Sequence, residues 1–383
     1  MACRCRQAAR ESPMSKEHVY GVALLSNAMH QSGYAPSLAQ HPRLRVLVLA
    51  DDPGQESIVV QRNQELADLL GVPYIEAVDA ALNWPGVEVA SVCPQIERRG
   101  DLVQRAAVSG KHLWLDKPLA PTIEDCTAIV EALRRTGQKS SVVSHLGYDH
   151  IQQAQRQIAQ GKIGDILAIH ADVHFAKGTP DRTDSPPAPP APLGRWTYRP
   201  PDGVSDPTQS GHSVIAKREL YEVGYYAVVH IRYLSGLPVE GVFARAGAHF
   251  FQAHAERGIE DFATLELTLA GGAVATITTG RIGRASHPAG GANHITVIGT
   301  QGTLLLDTRR QTAELCSELS EDSGPTTLRR DDNGDALVSH FVRVLDGDEP
   351  AWADAEAGRA HVATMLAGYE SVGTGAVVRP QFG

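Results

Sequence analysis

Gly110-Lys111-His112-Leu113-Trp114-Leu115-Asp116-Lys117-Pro118 is the stretch whose reading decides the fold. His112 to Leu115 is a short apolar run, the pattern of a strand covered on both faces. Asp116, Lys117 and Pro118 end it, and proline restricts the backbone of the lysine before it. Thr122-Ile123-Glu124-Asp125 then reads as the cap and acidic first turn of a helix. A lysine held at the carboxyl end of a strand sits where open α/β sheets receive their ligands. Taken without its context, the same lysine is a solvated charge at a helix entry.

The chain around this stretch repeats the pattern. Val19 to Leu25 and Arg45 to Ala50 are apolar strands, the second ending in Asp51-Asp52, and a short helix closes at Ser37 to His41. Ser57 to Leu70 reads as a helix stopped by Gly71, Val87 to Val92 as a strand, and Asp101 to Ser109 as a helix stopped by Gly110. A helix over Thr122 to Arg135 and a strand over Ser141 to Ser144 complete the series. Continuous apolar strands alternating with helices predict a doubly wound parallel sheet.

Beyond residue 146 the texture changes. Ile151 to Gln160 reads as a helix before Gly161, and Ile166 to Phe175 opens a set of longer strands. Gly178 to Gly203 is a Pro-rich loop, of a length usually functional or disordered. Glu219 to Leu234 reads as one helix ended by Gly236. Phe262 to Leu269 and Ala273 to Thr279, around Gly271-Gly272, read as a hairpin, and His294 to Gly299 pairs with Thr303 to Asp307. The expectation is an α+β domain with a large, mostly antiparallel sheet. The division is 1–17 as a disordered leader, 18–145 as the first domain and 146–383 as the second. A last helix, Ala355 to Tyr369, is expected to pack back on the first domain.

Composition narrows the function. The 383 residues leave room for two ordinary domains, and a net charge of −9 argues against a nucleic-acid partner. No apolar run approaches the ~20 residues of a membrane span, so no membrane association is expected. The five cysteines are scattered, which suits a reducing cytoplasm better than a disulfide framework, and no Cys/His grouping suggests a metal.

The run Gly110-Lys111-His112 through Asp116-Lys117-Pro118-Leu119-Ala120 resembles the most specific signature of the glucose-fructose oxidoreductase/inositol dehydrogenase (Gfo/Idh/MocA) family. The resemblance extends over nearly all of 19–378, through Gly161-Lys162-Ile163-Gly164, Ile298-Gly299-Thr300-Gln301-Gly302-Thr303 and Tyr369-Glu370-Ser371. It implies a Rossmann-type dinucleotide-binding domain followed by the sheet domain. It also implies hydride transfer between NAD(P) and a hydroxyl or ketone of a sugar, cyclitol or related small molecule.

Lys117 would hold and polarise the reacting oxygen, with a pKa that burial or neighbouring cations could lower towards neutrality. Leu220-Tyr221-Glu222-Val223-Gly224-Tyr225-Tyr226 is similar to the start of the family's Asp-x-Gly-x-His helix. Tyr226 stands at the catalytic His, as in the branch resembling glucose-fructose oxidoreductase and dihydrodiol dehydrogenase. Its phenol could relay a proton, its pKa lowered by the nearby ammonium. As a bare residue it is equally a core tyrosine. His230 falls out of motif register and reads as structural, and Val229 takes the place of the family's later aspartate.

The cofactor loop departs from the family. The positions of its three glycines are Ser26, Ala28 and Gln31. Ser26 and Ala28 are small, and Asn27, His30 and Ser32 could supply hydrogen bonds in place of backbone contacts. Asp51 is placed to hold the adenosine ribose, which favours NAD over NADP. Pro94-Gln95 corresponds to the segment beside the nicotinamide ribose, and Asp116 and Lys117 adjoin it. Arg98 or Arg99 takes the place of a family histidine, as a contact for phosphate or carboxylate or as a solvated charge. Lys217 is a candidate substrate contact, and Tyr148, His212 and Trp196 are candidate lining residues.

The reading is therefore a cytoplasmic NAD-dependent dehydrogenase or reductase, by resemblance a homo-oligomer, dimer or tetramer. Two alternatives follow from the missing glycines. One is a family member that has lost catalysis and acts as a binding or regulatory partner. The other is a redox-neutral enzyme with tightly bound NAD.

Overall fold

The computed structural model describes residues 18–176, 178–181, 217–283, 291–319, 324–327 and 333–382. The leader 1–17, most of the Pro-rich loop, and the candidates Trp196 and His212 lie outside the described residues.

The first domain runs β1 (Tyr20–Leu25), α1 (Gln31–Gln40), β2 (Leu44–Ala50), α2 (Ser57–Leu70), β3 (Tyr74–Ile75), α3 (Val78–Leu82), β4 (Val87–Val92), α4 (Ile96–Val108), β5 (His112–Leu115), α5 (Ile123–Thr136) and β6 (Ser140–Val142). Its six strands are parallel in the order β3-β2-β1-β4-β5-β6. Strand alternation explains why β1 is apolar throughout. Tyr20, Val22 and Leu24 enter one core, with Trp114, while Ala23 and Leu25 enter the other, with Leu113 and Leu115. Only glycine fits at position 21, where a Cβ would lie 2.0 Å from the Gly86 carbonyl oxygen. Thr122 caps α5 by accepting the Asp125 N–H at 3.1 Å, and Gly71 and Gly137 end α2 and α5 in left-handed geometry.

The second domain follows as α6 (Asp149–Ala159), β7 (Ile166–Ala176), α7 (Glu219–Glu222), α8 (Gly224–Ser235), β8 (Val239–Gly247), α9 (Gln252–Glu256), β9 (Phe262–Leu269), β10 (Val274–Ile282), β11 (Asn293–Gly299), β12 (Gly302–Asp307), β13 (Thr312–Ser317) and β14 (Gly324–Thr327). These eight strands form one sheet, β14-β13-β12-β11-β7-β10-β9-β8. Every neighbouring pair is antiparallel except β7 with β10. Burial alternates along β9, with Ala263, Leu265, Leu267 and Leu269 in the core and Thr264, Glu266 and Thr268 exposed.

Two C-terminal helices, α10 (Asn333–Asp346) and α11 (Ala355–Thr374), return to the first sheet. Phe341 of α10 meets the Trp114 ring edge-on at 5.3 Å, and Asp346 pairs with Arg43 at 2.8 Å. In α11, a Cβ at Gly358 would touch Leu119 and Val142, and Glu356 pairs with Arg134 at 2.9 Å. Helix α10 therefore joins α1 and α2 on the Trp114 face of the first sheet, and α11 packs on the other side beside β6.

Three sequence expectations are corrected in detail. Helix α4 begins at Ile96 rather than Asp101, because Gln95 is extended and the turn starts directly after it. Strand β6 is Ser140–Val142, ending before Ser144. The single helix expected over 219–234 is two, α7 and α8, broken at Val223.

Candidate active site at the domain junction

The break at Val223 shapes the site. Tyr226 N–H donates to the Val223 carbonyl at 3.1 Å, not to Glu222, so the Glu222 carbonyl oxygen is open to another donor. Lys117 Nζ takes it at 2.8 Å and reaches the Glu222 carboxylate at 3.2 Å. The same ammonium lies 4.8 Å from the Tyr226 ring centroid, within cation–π range. Lys117 and Glu222 are nearly buried, at 3% and 7% exposure. Lys117 and Tyr226 thus come together from opposite sides of the domain junction. The Lys117-Pro118 peptide is cis.

Asp116, beside Lys117, is buried and accepts from four donors. They are His30 Nδ1 at 2.9 Å, Arg99 at 3.0 Å, the Tyr34 hydroxyl at 3.2 Å and the Lys117 N–H at 2.8 Å. Burial alone would raise its pKa, but His30 and Arg99 hold the carboxyl well below the usual range. Arg99 is fully buried and also donates to the Pro94 and Pro118 carbonyls at 3.1 and 2.6 Å. It braces the β5 end and is not solvated.

The protonation states correct two expectations. Burial would lower the Lys117 pKa, but Tyr226, Glu222 and Asp116 outweigh it and hold the ammonium above its ordinary value. Burial raises the Tyr226 phenol, and Lys117 offsets that only in part. Glu222 would also be raised by burial, yet Lys117, with Lys217, His30 and Arg99, brings it down to about 2. At neutral pH the centre therefore contains an ammonium, a carboxylate and a neutral phenol.

His145, just past β6, is a site residue that motif reading missed. Its ring stacks on Tyr226 at 4.0 Å with 10° between the planes. Burial, then His230, Lys117, His30 and His150, pushes its pKa down to about 3, so it is neutral. Its place after a strand of the parallel sheet is the signal that could have found it. Tyr148 meets His145 edge-on at 5.6 Å, and Phe175 meets Tyr226 at 6.2 Å. His230 is buried, and burial lowers it to about 4. Lys217 lies near enough to act on Glu222, and its own N–H points to His254 Nε2 at 3.4 Å.

The crevice between the ends of β1 and β4 contains the loop candidates. Ser26 keeps the left-handed backbone of a first-glycine position, φ 65°, at a cost of about 1–2 kcal/mol for a residue with a Cβ. Asn27 N–H donates to Asn63 Oδ1 at 2.6 Å, and Asn27 Nδ2 to the Arg62 carbonyl at 3.0 Å. Asn27 Oδ1 accepts the Ser32 N–H at 2.9 Å, capping α1 from inside the loop. Met29 N–H reaches the Cys93 carbonyl at 3.2 Å, and Ala28 N–H reaches Ser26 Oγ at 3.3 Å. The Asn27 and His30 side chains are thus engaged with the protein, as is the Ser32 N–H. Gln31 is buried and accepts from Ser91 Oγ at 2.9 Å.

Asp51, fully buried at the end of β2, accepts from Asn63 at 3.2 Å and from Arg98 at 2.7 Å. Arg98 also donates to Gln55 at 2.6 Å and Gln95 at 3.2 Å, so it is no free solvated charge. Arg62, unmarked in the sequence reading, lies 3.5 Å from the Ala28 carbonyl. Among the described residues there is no cluster of three metal-ligating side chains, and no helix is long and apolar enough to cross a membrane.

Residues 27–144 match the family model described as "Oxidoreductase family, NAD-binding Rossmann fold", and residues 151–305 match "GFO/IDH/MocA C-terminal domain". The chain is similar to the uncharacterized oxidoreductase YrbE of Bacillus subtilis, 22% identical over 73% of this chain and 71% of that protein. It is also similar to a D-xylose dehydrogenase of Paenarthrobacter nicotinovorans, 26% identical over 39% of this chain but only 38% of that one. Among solved structures, the aldose-aldose oxidoreductase of Caulobacter crescentus shares the fold with a TM-score of 0.72 at 19% identity, covering 94% of this chain and 100% of that one. Sheet order, domain sequence and the two matched segments, which together span most of the chain, agree. The chain belongs to the GFO/IDH/MocA oxidoreductase family, with its NAD-binding Rossmann domain and its C-terminal sheet domain.

Proposed function

We propose that this protein is an NAD(P)-dependent oxidoreductase acting on a hydroxyl or keto group of a sugar, cyclitol or related small molecule. The observation that carries the reading is the meeting of Lys117 with Tyr226, 4.8 Å from ammonium to ring centroid, beside the crevice at the strand ends. The residues of that crevice fit a dinucleotide at two points: Ser26 keeps the left-handed turn, and Asp51 ends β2. Ser26, Ala28, His30, Asp51, Pro94, Gln95 and Lys117 would line its site, with Asn27 and Asp116, whose side chains are bonded to the protein, behind them. An acidic residue after β2 favours NAD, and Arg98, 2.7 Å from the Asp51 carboxylate, offsets part of that preference. The nicotinamide supplies or receives the hydride when bound.

The chain's own groups manage the oxygen and its proton. Lys117 presents a fixed positive charge to the reacting oxygen, with Glu222 holding the ammonium in place. Tyr226, protonated at neutral pH, donates its phenolic proton to that oxygen as negative charge develops on it. This resting state suits carbonyl reduction, and the reverse reaction requires Tyr226 to accept the proton. His145, neutral and stacked on Tyr226, orients the phenol, and Tyr148 and Lys217 border the substrate position.

The test is oxidation of a sugar and cyclitol panel with NAD+ and NADP+, followed at 340 nm, then Lys117→Met and Tyr226→Phe separately. Each change is expected to lower kcat by about 10²–10⁴-fold, the usual contribution of a positioned proton donor. Turnover near wild type in both variants refutes the mechanism. The engaged loop amides favour a second reading, a family member without catalysis that serves as a binding partner. Failure of both NADH and NADPH to bind at millimolar concentration would support that reading.

A further inference from the structure

We infer that Asn27 is a latch on the dinucleotide loop, and that dinucleotide binding requires the latch to open. In a Rossmann crevice, the turn after β1 and the first amides of the next helix receive the pyrophosphate. Here three of those N–H groups already have protein acceptors. Asn27 N–H is held by Asn63 Oδ1 at 2.6 Å, Met29 N–H by the Cys93 carbonyl at 3.2 Å, and Ser32 N–H by Asn27 Oδ1 at 2.9 Å. The Asn27 side chain is anchored at its other end on the Arg62 carbonyl at 3.0 Å, and the residue is 4% exposed.

Asn27 therefore bridges α1 and α2 across the mouth of the loop. A phosphate oxygen approaching the start of α1 meets the Asn27 amide oxygen, a second acceptor for the same N–H. Two acceptors cannot share that donor at full strength, and the amide oxygen is the one already in place. The loop keeps the left-handed turn at Ser26, but the Asn27, Met29 and Ser32 N–H groups are turned to protein acceptors. Asn27 thus tunes dinucleotide affinity without belonging to the chemistry of the reacting oxygen.

The inference rests on the dinucleotide reading proposed above, and one experiment separates the two. NADH and NADPH are titrated by fluorescence into wild type, Asn27→Ala and Asn27→Asp, with thermal melts to verify folding. Asn27→Ala frees the Ser32 N–H and is expected to bind NADH about fivefold tighter, the equivalent of one helix-capping bond. Asn27→Asp keeps the acceptor and adds a negative charge, and is expected to bind no tighter than wild type. If Asn27→Ala melts without cooperativity, Asn27→Gly replaces it. Wild-type binding with no tightening in the Ala or Gly variant overturns the latch and leaves the dinucleotide reading intact. No binding of either nucleotide to any variant at millimolar concentration overturns both.

Discussion

Replacing Lys117 by methionine tests the geometry of the site without a known substrate. Lys117 and Glu222 have side-chain exposures of only 4% and 9%, so solvent screens the pair little. Glu222 is held at about 2 against an ordinary 4.5, which at neutral pH corresponds to roughly 3 kcal/mol of stability. In Lys117→Met the Glu222 carboxylate keeps its burial and loses its main partner, so the variant should be destabilised by about 3 kcal/mol. Adding Glu222→Gln removes the orphaned charge and should recover at least half of the loss.

Urea unfolding followed by tryptophan fluorescence and far-UV circular dichroism measures this, with buried Trp114 on β5 as a local reporter. The pH dependence has a definite sign. A carboxyl with a depressed folded pKa contributes fully above its unfolded value and loses the contribution as pH falls towards the folded one. The gap between wild type and Lys117→Met should hold from pH 7 to about 5, then narrow between 4.5 and 2. Lys117 itself is raised, so its share is complete below 10.5 and fades only as pH rises beyond that. A Lys117→Met protein within ~0.5 kcal/mol of wild type at pH 7, in the range of ordinary surface changes, would refute the buried pair and the site built on it.

Glu260 offers the opposite sign. It is fully buried, and burial pushes its carboxyl up to about 7, although Tyr369 OH and Leu220 N–H donate to it at 2.5 and 3.0 Å. A raised carboxyl contributes stability below its unfolded value that is lost as pH rises through the folded one, so wild type should weaken between pH 4.5 and 7 by up to roughly 3 kcal/mol. Glu260→Gln should flatten that part of the denaturation-versus-pH curve, and an unchanged slope would count against the assignment. Thr122→Ala removes the cap on α5 and should lower stability by about 1 kcal/mol with little change in NADH affinity.

The elements legible in the sequence are those with local causes. The His112–Leu115 strand, the Thr122 cap and the Gly71 stop appear where side-chain pattern and turn chemistry put them. Sequence reading assigned no element to 333–346, although Leu337, Phe341 and Leu345 recur at helical spacing. The partner of that apolar face is Trp114, two hundred residues earlier in the chain, and no local pattern names it. His145 was missed for a related reason: its stacking partner, Tyr226, comes from another domain.

Candidate residues were easier to name than their states. Lys117 and Tyr226 stand out as residue types in a recognisable order, and both lie at the junction. Both pKa values are raised rather than lowered, because the resemblance implies that the ammonium and the phenol are near each other but not how deeply they are buried. The loop candidates were likewise named by position, while the partners of Asn27, Asn63 and Asp51 were not foreseeable from position alone.

The sequence by itself determined the alternation of buried strands and helices, the break at Asp116-Lys117-Pro118 and the family, because periodicity, capping and motif order are properties of neighbours along the chain. Only the tertiary structure decided that Lys117 is clasped by Glu222, that Tyr226 keeps its proton, and that Asn27 is tied to Asn63 and Arg62. Those outcomes depend on burial and on donors and acceptors far apart in sequence, which meet within the folded first domain for Asn27 and where the two domains pack for Lys117 and Tyr226.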